Sequence, residues 1–160
     1  MIPKLRVWDK ENKIMWNIES WHIEDEYFDL IEPNKSVVDL NANRTRRKQR
    51  DVIIMQSTGL LDKNGKEIFE GDVVELHHFT ENFSTTGGFY EGEESLVGVV
   101  RYGYTDDEIK YFGKVYPPRW FFENRYRELS FSHLYGVHEE SFEIIGNVYE
   151  NPELVEVNND

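Results

Sequence analysis

Apolar and polar residues alternate with a period of two along much of the chain, which is typical of β-strands that bury one face. Residues 5–8 and 14–16 flank the polar segment 9–13, and this arrangement predicts an N-terminal β-hairpin. Residues 17–23 either extend its second strand or start a third. A second hairpin is predicted at Asn64-Gly65, because Asn-Gly favours the positive φ angles of a tight turn. Further strands are predicted at residues 37–40, 52–55, 96–102, 111–115, 120–123, 129–131 and 142–149.

Signals for helices are few. Residues 24–31 predict one short helix that ends before Pro33, since the residue preceding a proline disfavours helical dihedrals. Pro152 favours a single helical turn near the C-terminus. Residues 41–50 are polar and basic and predict a loop, and residues 80–94, with three glycines, predict a mobile one. Short, closely spaced strands with frequent turns favour an antiparallel barrel or a sandwich.

Three separated segments carry a resemblance to a known family. They are LRVWDKENKIM (residues 5–15), QSTGLLDKNGKEIFEGDVV (56–74) and FEIIGNVYENPEL (142–154). Together they resemble blocks of the YopX family, which phages and prophages of Gram-positive bacteria encode, although Ser57 stands where that family usually has an aromatic residue. The resemblance implies a mainly β protein with an SH3-like barrel, and it implies no known activity and no site residues.

Pattern and resemblance together predict a mainly β fold, a small antiparallel SH3-like barrel with few short helices. Residues 1–50 are expected to form a β-hairpin region with a basic loop. Residues 51–160 are expected to form the barrel domain, with an acidic, glycine-containing loop at 80–94. Glycine supplies backbone freedom in tight turns and aspartate caps them, so four residues are assigned structural turn roles: Asn64, Gly65, Gly71 and Asp72.

Composition and charge exclude several classes of function. The chain of 160 residues has a net charge of −13, which disfavours non-specific binding of nucleic acid by the molecule as a whole. It has no cysteine, so disulfides, cysteine-ligated metal centres and cysteine nucleophiles are excluded. No signal peptide and no apolar run of about 20 residues is present. With the family resemblance, the expected location is the cytoplasm of an infected or lysogenic bacterial host, with no membrane partner.

One short segment contains five basic residues within seven positions. Arginine side chains bind phosphates, so the segment is a candidate nucleic-acid contact. Arginine also pairs with carboxylates, so docking onto acidic surface of this chain or of a second subunit is the favoured alternative, and a solvated loop is the third. These candidate partner or phosphate contacts are Arg44, Arg46, Arg47, Lys48 and Arg50.

Aromatic residues are concentrated between positions 111 and 126. A platform for stacking nucleic-acid bases is one interpretation. A core or subunit interface is the favoured one, because aromatic residues dominate both. We therefore expect a homo-oligomer whose candidate interface aromatics are Tyr111, Phe112, Trp120, Phe122 and Tyr126.

No motif points to catalysis. His77 and His78 are adjacent and so face opposite sides of a strand. Glu75 shares a face with His77, but two ligands on one strand make a weak metal site. No phosphate-binding loop, dinucleotide fingerprint or nucleophile elbow is present. The prediction is therefore no catalytic, cofactor-binding or metal-binding residues, and a non-enzymatic accessory or regulatory module that acts through protein contacts. The alternative is a nucleic-acid-associated protein that uses residues 44–50.

Overall fold

The computed structural model describes residues 4–83, 85–105, 108–113, 117–124, 127–130 and 141–156. The side chains of 78–83, 89–91, 94, 108, 112 and 127–130 are not included in that description. Within it, eleven strands are present: β1 Leu5–Asp9, β2 Ile14–His22, β3 Tyr27–Ile31, β4 Arg44–Lys48, β5 Val52–Leu61, β6 Glu67–Phe69, β7 Asp72–Phe83, β8 Phe89–Gly103, β9 Arg119–Asn124, β10 Arg127–Ser130 and β11 Phe142–Asn147. Short helical turns are 3₁₀ at Gln49–Asp51 and Pro152–Leu154, and π at Glu108–Phe112.

The strands form two antiparallel sheets, with the orders β4-β3-β2-β1-β5-β6 and β10-β9-β8-β7-β11. Over the described residues neither order returns to its first strand, so neither sheet closes into a barrel. The prediction of a mainly β, antiparallel fold is confirmed, and the prediction of a closed barrel is wrong. Strands β7 and β8, with 12 and 15 residues, exceed the usual length of strands in globular proteins.

The chain divides into two compact units, residues 1–57 and 58–160, and the division falls within β5. In the first unit the predicted N-terminal hairpin is present, with Val7 opposite Trp16 across β1 and β2. Strand β1 also pairs with β5. The core of this unit contains Val7, Trp16, Phe28, Leu30 and Val52.

Three predictions within the first unit are wrong. The predicted helix at 24–31 is a turn followed by strand β3, in which Phe28 and Leu30 are fully buried on one face and alternate with more exposed neighbours. The predicted strand at 37–40 consists of turns. The predicted loop at 41–50 contains β4, which pairs with β3. The reason is shared: β3 and β4 form a hairpin connected by residues 32–43, and pairing of β3 with both β2 and β4 gives these segments their strand conformation.

In the second unit, β7 lies between β8 and β11. Alternate residues of β7 point into a core together with residues of β6, β8, β9 and β11. The fully or nearly fully buried members of that core are Ile68, Val74, Leu76, Val100, Phe122 and Phe142.

The predicted turn at Asn64-Gly65 is present, although its geometry differs from a two-residue type I′ turn. The N–H of Gly65 donates to the carbonyl of Asp62 at 2.9 Å, and the N–H of Asp62 donates to the carbonyl of Lys66 at 2.7 Å. Gly65 has a φ of 75°, whereas Asn64 does not have a positive φ. These features define a three-residue loop in which a glycine in the left-handed region follows a type I turn.

The turn before β7 has the geometry expected of its two candidate residues. Gly71 has a φ of 83°, in the region that favours glycine. The carboxylate of Asp72, which is almost fully buried, accepts a hydrogen bond from the N–H of Phe69 at 2.8 Å. Asp72 therefore caps the turn that starts the central strand of this sheet.

Two further predictions in the second unit are wrong. Residues 80–94 mostly belong to a long hairpin, whose β7–β8 pairing runs from Val73–Val99 to Phe83–Phe89. The glycines at 87 and 88 lie at its tip with positive φ angles, so they mark a turn and not a loop. The predicted strand at 111–115 begins in the π-helical turn, and residues 114–116 lie outside the described part of the chain, as does residue 131. Among the described residues, no helix is long and apolar enough to cross a membrane.

Candidate functional site

The basic segment lies on β4 and on the 3₁₀ turn that follows it. Alternation along β4 separates its side chains: Thr45 and Arg47 are half-buried, whereas Arg44, Arg46 and Lys48 are exposed. Arg50 is exposed on the 3₁₀ turn, and its Nε lies 3.8 Å from the carboxylate of Asp51. The five cations therefore do not share one face.

Three of the arginines pair with carboxylates of the same unit. Nε of Arg44 donates to Oε1 of Glu19 at 3.2 Å. Nε of Arg46 donates to Oδ1 of Asp29 at 2.8 Å. Nε of Arg47 donates to Oδ2 of Asp9 at 2.6 Å, and Asp9 is fully buried. These arginines thus pair with carboxylates of their own chain, which is one of the arrangements considered from the sequence.

Asp29 lies at the centre of a polar cluster on β2, β3 and β4. Its Oδ2 accepts a hydrogen bond from the hydroxyl of Ser20 at 3.1 Å and lies 3.0 Å from Nε2 of His22. The guanidinium of Arg46, with the hydrogen bonds from His22 and Ser20, lowers the pKa of Asp29 from 3.8 to about 2. Arg46 also lies 4.1 Å above the ring centroid of Tyr27.

Ser20, His22 and Asp29 have the residue types of a hydrolytic triad but not its geometry. In such a triad the carboxylate holds Nδ1 of the histidine, so that Nε2 is left to activate the serine. Here the serine hydroxyl, at 3.0 Å, and the carboxylate both approach Nε2. The serine hydroxyl also donates to the carboxylate, so this arrangement has no relay from Asp29 through His22 to Ser20.

Residues 32–43, which connect β3 to β4, form a closed and internally bonded loop, called loop 32–43 below. At its base the N–H of Glu32 donates to the carbonyl of Asn43 at 3.0 Å. Inside it, Arg44 donates to the carbonyl of Val37 at 2.9 Å and to that of Asp39 at 2.9 Å. The carboxylate of Asp39 accepts the N–H of Asn41 at 2.9 Å. These hydrogen bonds connect the base of the loop and its middle.

Loop 32–43 exposes three aliphatic side chains. The exposed fraction is 58% for Val37, 80% for Val38 and 92% for Leu40. Sequence reasoning placed residues 37–40 on a strand and so missed this surface. The turn-forming residues that flank and interrupt the apolar ones, Asn34, Ser36, Asp39 and Asn41, are the signal that indicates a loop.

The candidate interface aromatics occupy different environments. Tyr111 is 64% exposed, on the π-helical turn. Trp120 packs against the core of the second unit. Phe122 is fully buried in that core and so is a core residue, not an interface residue. The side chain of Phe112 and the whole of Tyr126 lie outside the described residues.

The structure adds a third residue to the weak Glu75–His77 pair. Glu143 on β11 lies opposite Glu75, and the ligand atoms of Glu75, His77 and Glu143 all lie within 4.8 Å of one another. No local signal predicts this, because Glu143 follows His77 by 66 positions and only β7–β11 pairing brings them together. The side chain of His78 lies outside the described part.

Comparison with known proteins identifies the family. The family model described as YopX protein matches residues 4–156. The chain belongs to the YopX family. For this YopX-family chain, the resemblance inferred from three short segments therefore holds over nearly the whole length.

Among solved structures, the YopX-family chain is similar to protein EF1440 from Enterococcus faecalis, known from a crystal structure. The two are 24% identical, the match covers 98% of this chain and 99% of that one, and the TM-score is 0.52. At that identity the likeness shows the fold alone. No curated protein matches the chain.

Proposed function

We propose that this YopX-family chain is a non-enzymatic accessory or regulatory module that binds another protein, and that loop 32–43 makes the contact. The observation that carries the proposal is the exposure of Val37, Val38 and Leu40 on a loop with internal hydrogen bonds. The setting we propose is the cytoplasm of a bacterial host that carries the phage or prophage, as the family resemblance implies.

Exposed aliphatic side chains on an ordered loop favour a binding role. A partner that covers these side chains removes apolar surface from water, which favours association. Ordering a flexible loop on binding costs free energy, and a loop that is already ordered avoids that cost. Arg44 provides the order here, since its guanidinium donates to backbone carbonyls on both sides of Val38.

The hydrogen bonds within loop 32–43 also indicate what kind of partner fits. The carbonyls of Val37, Asp39 and Ala42 accept hydrogen bonds from Arg44, and Asp39 pairs with Lys35 at 3.4 Å. Since these polar groups are already paired, a partner gains most by covering the aliphatic side chains. The partner we propose is a protein with an apolar recess, bound with little dependence on salt.

The nucleic-acid alternative has weaker support. Phosphate binding requires guanidinium groups that are available to the ligand. Arg44, Arg46 and Arg47 each hold a carboxylate, so binding a phosphate would require breaking those pairs. The two remaining cations, Lys48 and Arg50, are exposed but separated by a change from strand to 3₁₀ turn.

Site-specific photo-cross-linking tests the proposal. Benzoylphenylalanine at Leu40, introduced in the cells that naturally carry the gene, is expected to give an adduct with one protein. The same probe at Ile109, which is 51% exposed in the second unit, serves as the matched control and should not give that adduct.

Binding to the purified adduct partner then tests the role of the aliphatic side chains. The double variant Val38→Ser/Leu40→Ser is expected to bind at least about tenfold more weakly, because burial of each aliphatic side chain contributes about 1.5–3 kcal/mol and about 1.4 kcal/mol is tenfold in affinity. Ile109→Ser should bind like the wild type. Equal binding by the double variant, or adducts that are the same from both positions, would contradict the proposal. Binding of DNA or RNA by the chain, with an affinity that falls steeply with salt, would instead support phosphate contacts.

A further inference from the structure

Strands β7 and β11 place three potential metal ligands together on the face opposite the core. Val74 and Leu76 of β7 point into the core, so Glu75 and His77 point to the other face. Glu143 lies directly opposite Glu75 in the β7–β11 register and therefore shares that face. All three side chains are partly buried, and their ligand atoms lie within 4.8 Å of one another.

Each of the three side chains also has a hydrogen-bond or ion-pair partner outside the cluster. The hydroxyl of Ser95 donates to Oε1 of Glu75, while Oε2 of Glu75 lies 3.7 Å from Nε2 of His77. Nδ1 of His77 lies 3.5 Å from the carboxylate of Glu93.

At the third side chain, Oε2 of Glu143 pairs with the ammonium of Lys63. The carboxylate of Glu143 also accepts a side-chain hydrogen bond from Asn64. A histidine whose second nitrogen faces a carboxylate is an arrangement found around metal ligands in proteins.

Glu75 and Glu143 place two carboxylates opposite each other on neighbouring strands, and a bound cation would offset the repulsion between them. Like charges directly opposite each other on neighbouring strands are destabilising. Residues 51–100, which include β7 and most of β8, contain ten acidic and only two basic residues, so the local field is negative as well. Lys63 neutralises part of this charge at Glu143, but Glu75 and Glu93 both remain near His77.

We infer that Glu75, His77 and Glu143 bind a divalent transition-metal ion at the surface of this sheet. One imidazole nitrogen and two carboxylate oxygens suit Zn²⁺, whereas Ca²⁺ and Mg²⁺ prefer oxygen ligands alone. In a tetrahedral zinc site with bonds of about 2.1 Å, ligand atoms lie about 3.4 Å apart, so small side-chain rotations complete the site. The inference is independent of loop 32–43 and of the proposed protein partner.

Zinc titration of the full chain tests the site. Isothermal titration calorimetry with ZnCl₂ in a non-chelating buffer is expected to show one high-affinity zinc per chain. His77→Gln and Glu143→Gln should each weaken binding by at least about tenfold. His22→Gln is the matched control: His22 also lies beside a carboxylate on a strand, but Arg46 already occupies that carboxylate, so the variant should bind like the wild type.

Amide chemical shifts of the wild type provide a measurement that does not depend on the folding of any variant. Zinc is expected to shift the signals of residues 75–77 and 143 and to leave those of residues 20–29 unchanged. Absence of stoichiometric binding would overturn the inference. So would loss of binding with His77→Gln but not with Glu143→Gln, because zinc would then be held without β11.

Discussion

The buried carboxylate of Asp9 connects the first hairpin turn to β4. Its Oδ1 accepts the N–H groups of Glu11 and Asn12 at 3.0 and 3.1 Å. Its Oδ2 accepts hydrogen bonds from Nδ2 of Asn12 at 2.8 Å and from Nε of Arg47 at 2.6 Å. Burial alone would raise the pKa of Asp9, but the hydrogen bonds from Asn12 and Arg47 outweigh it and the pKa is lowered. The carboxylate is therefore buried as an ion with its oxygens hydrogen-bonded.

Asp29 is expected to make the stability of the protein depend on pH. Its pKa is about 2 in the folded state, lowered from 3.8, chiefly by the hydrogen bond from Arg46. A lowered pKa means that the folded state favours the ionised carboxylate, so the stabilisation is present above pH 4 and is lost as the pH falls toward 2. The stability advantage of the wild type over Asp29→Asn should decline across that range in urea denaturation.

Carboxyl carbon NMR titration measures the pKa of Asp29 directly. Arg46→Met removes the main cause and should move the pKa of Asp29 back toward 3.8. A wild-type midpoint near 3.8 would show that the Arg46 pair does not form in solution.

At the scale of elements, turn chemistry predicts hairpins where the signal is local. The polar segment 9–13 and Asn64-Gly65 each lie between two apolar segments, and both hairpins are present. Strand β3 is different: its five residues contain too short an apolar run to distinguish strand from helix, and its pairing with β2 and β4 decides the outcome. The Glu75–His77–Glu143 cluster depends on non-local pairing in the same way.

The loop between β5 and β6 gives a test that separates two turn geometries. Gly65→Val places a β-branched residue at a φ of 75° and should destabilise the protein by roughly 1–3 kcal/mol. Asn64→Val should cost less, because Asn64 does not have a positive φ. Urea denaturation of both variants provides the measurement. Equal losses would indicate a two-residue type I′ turn, which requires positive φ at both positions.

At the scale of the whole molecule, the chain consists of two units with separate cores, one built around Phe28 and the other around Phe122. The sequence predicted the secondary-structure class and the family from local blocks. It did not predict the unclosed sheets, because strand order depends on pairing between segments far apart in the chain. The aromatic residues show the same dependence on distant pairing. Phe122 and Tyr111 both lie in the aromatic-rich segment, but Phe122 is fully buried and Tyr111 is exposed.

Self-association remains a prediction of the aromatic content. Interfaces favour exposed aromatic side chains, and Tyr111 is one. Light scattering at micromolar concentration and moderate salt is expected to give a mass above the monomer's 19.1 kDa. Tyr111→Ser should shift the mass toward the monomer, whereas Ile109→Ser, its exposed neighbour on the same turn, serves as the control. A monomer mass over the whole concentration range would contradict the prediction.

Strand β4 ends the order of its sheet in the described part of the chain, so one of its edges faces no neighbouring strand there. Open edges of this kind recruit strands from other molecules and start aggregation unless charge prevents it. Four of the five residues of β4 are basic, and a second copy of β4 aligned against it would bring like charges opposite one another. We therefore expect β4 to disfavour edge-to-edge pairing of two copies of the chain, a role that requires no nucleic acid.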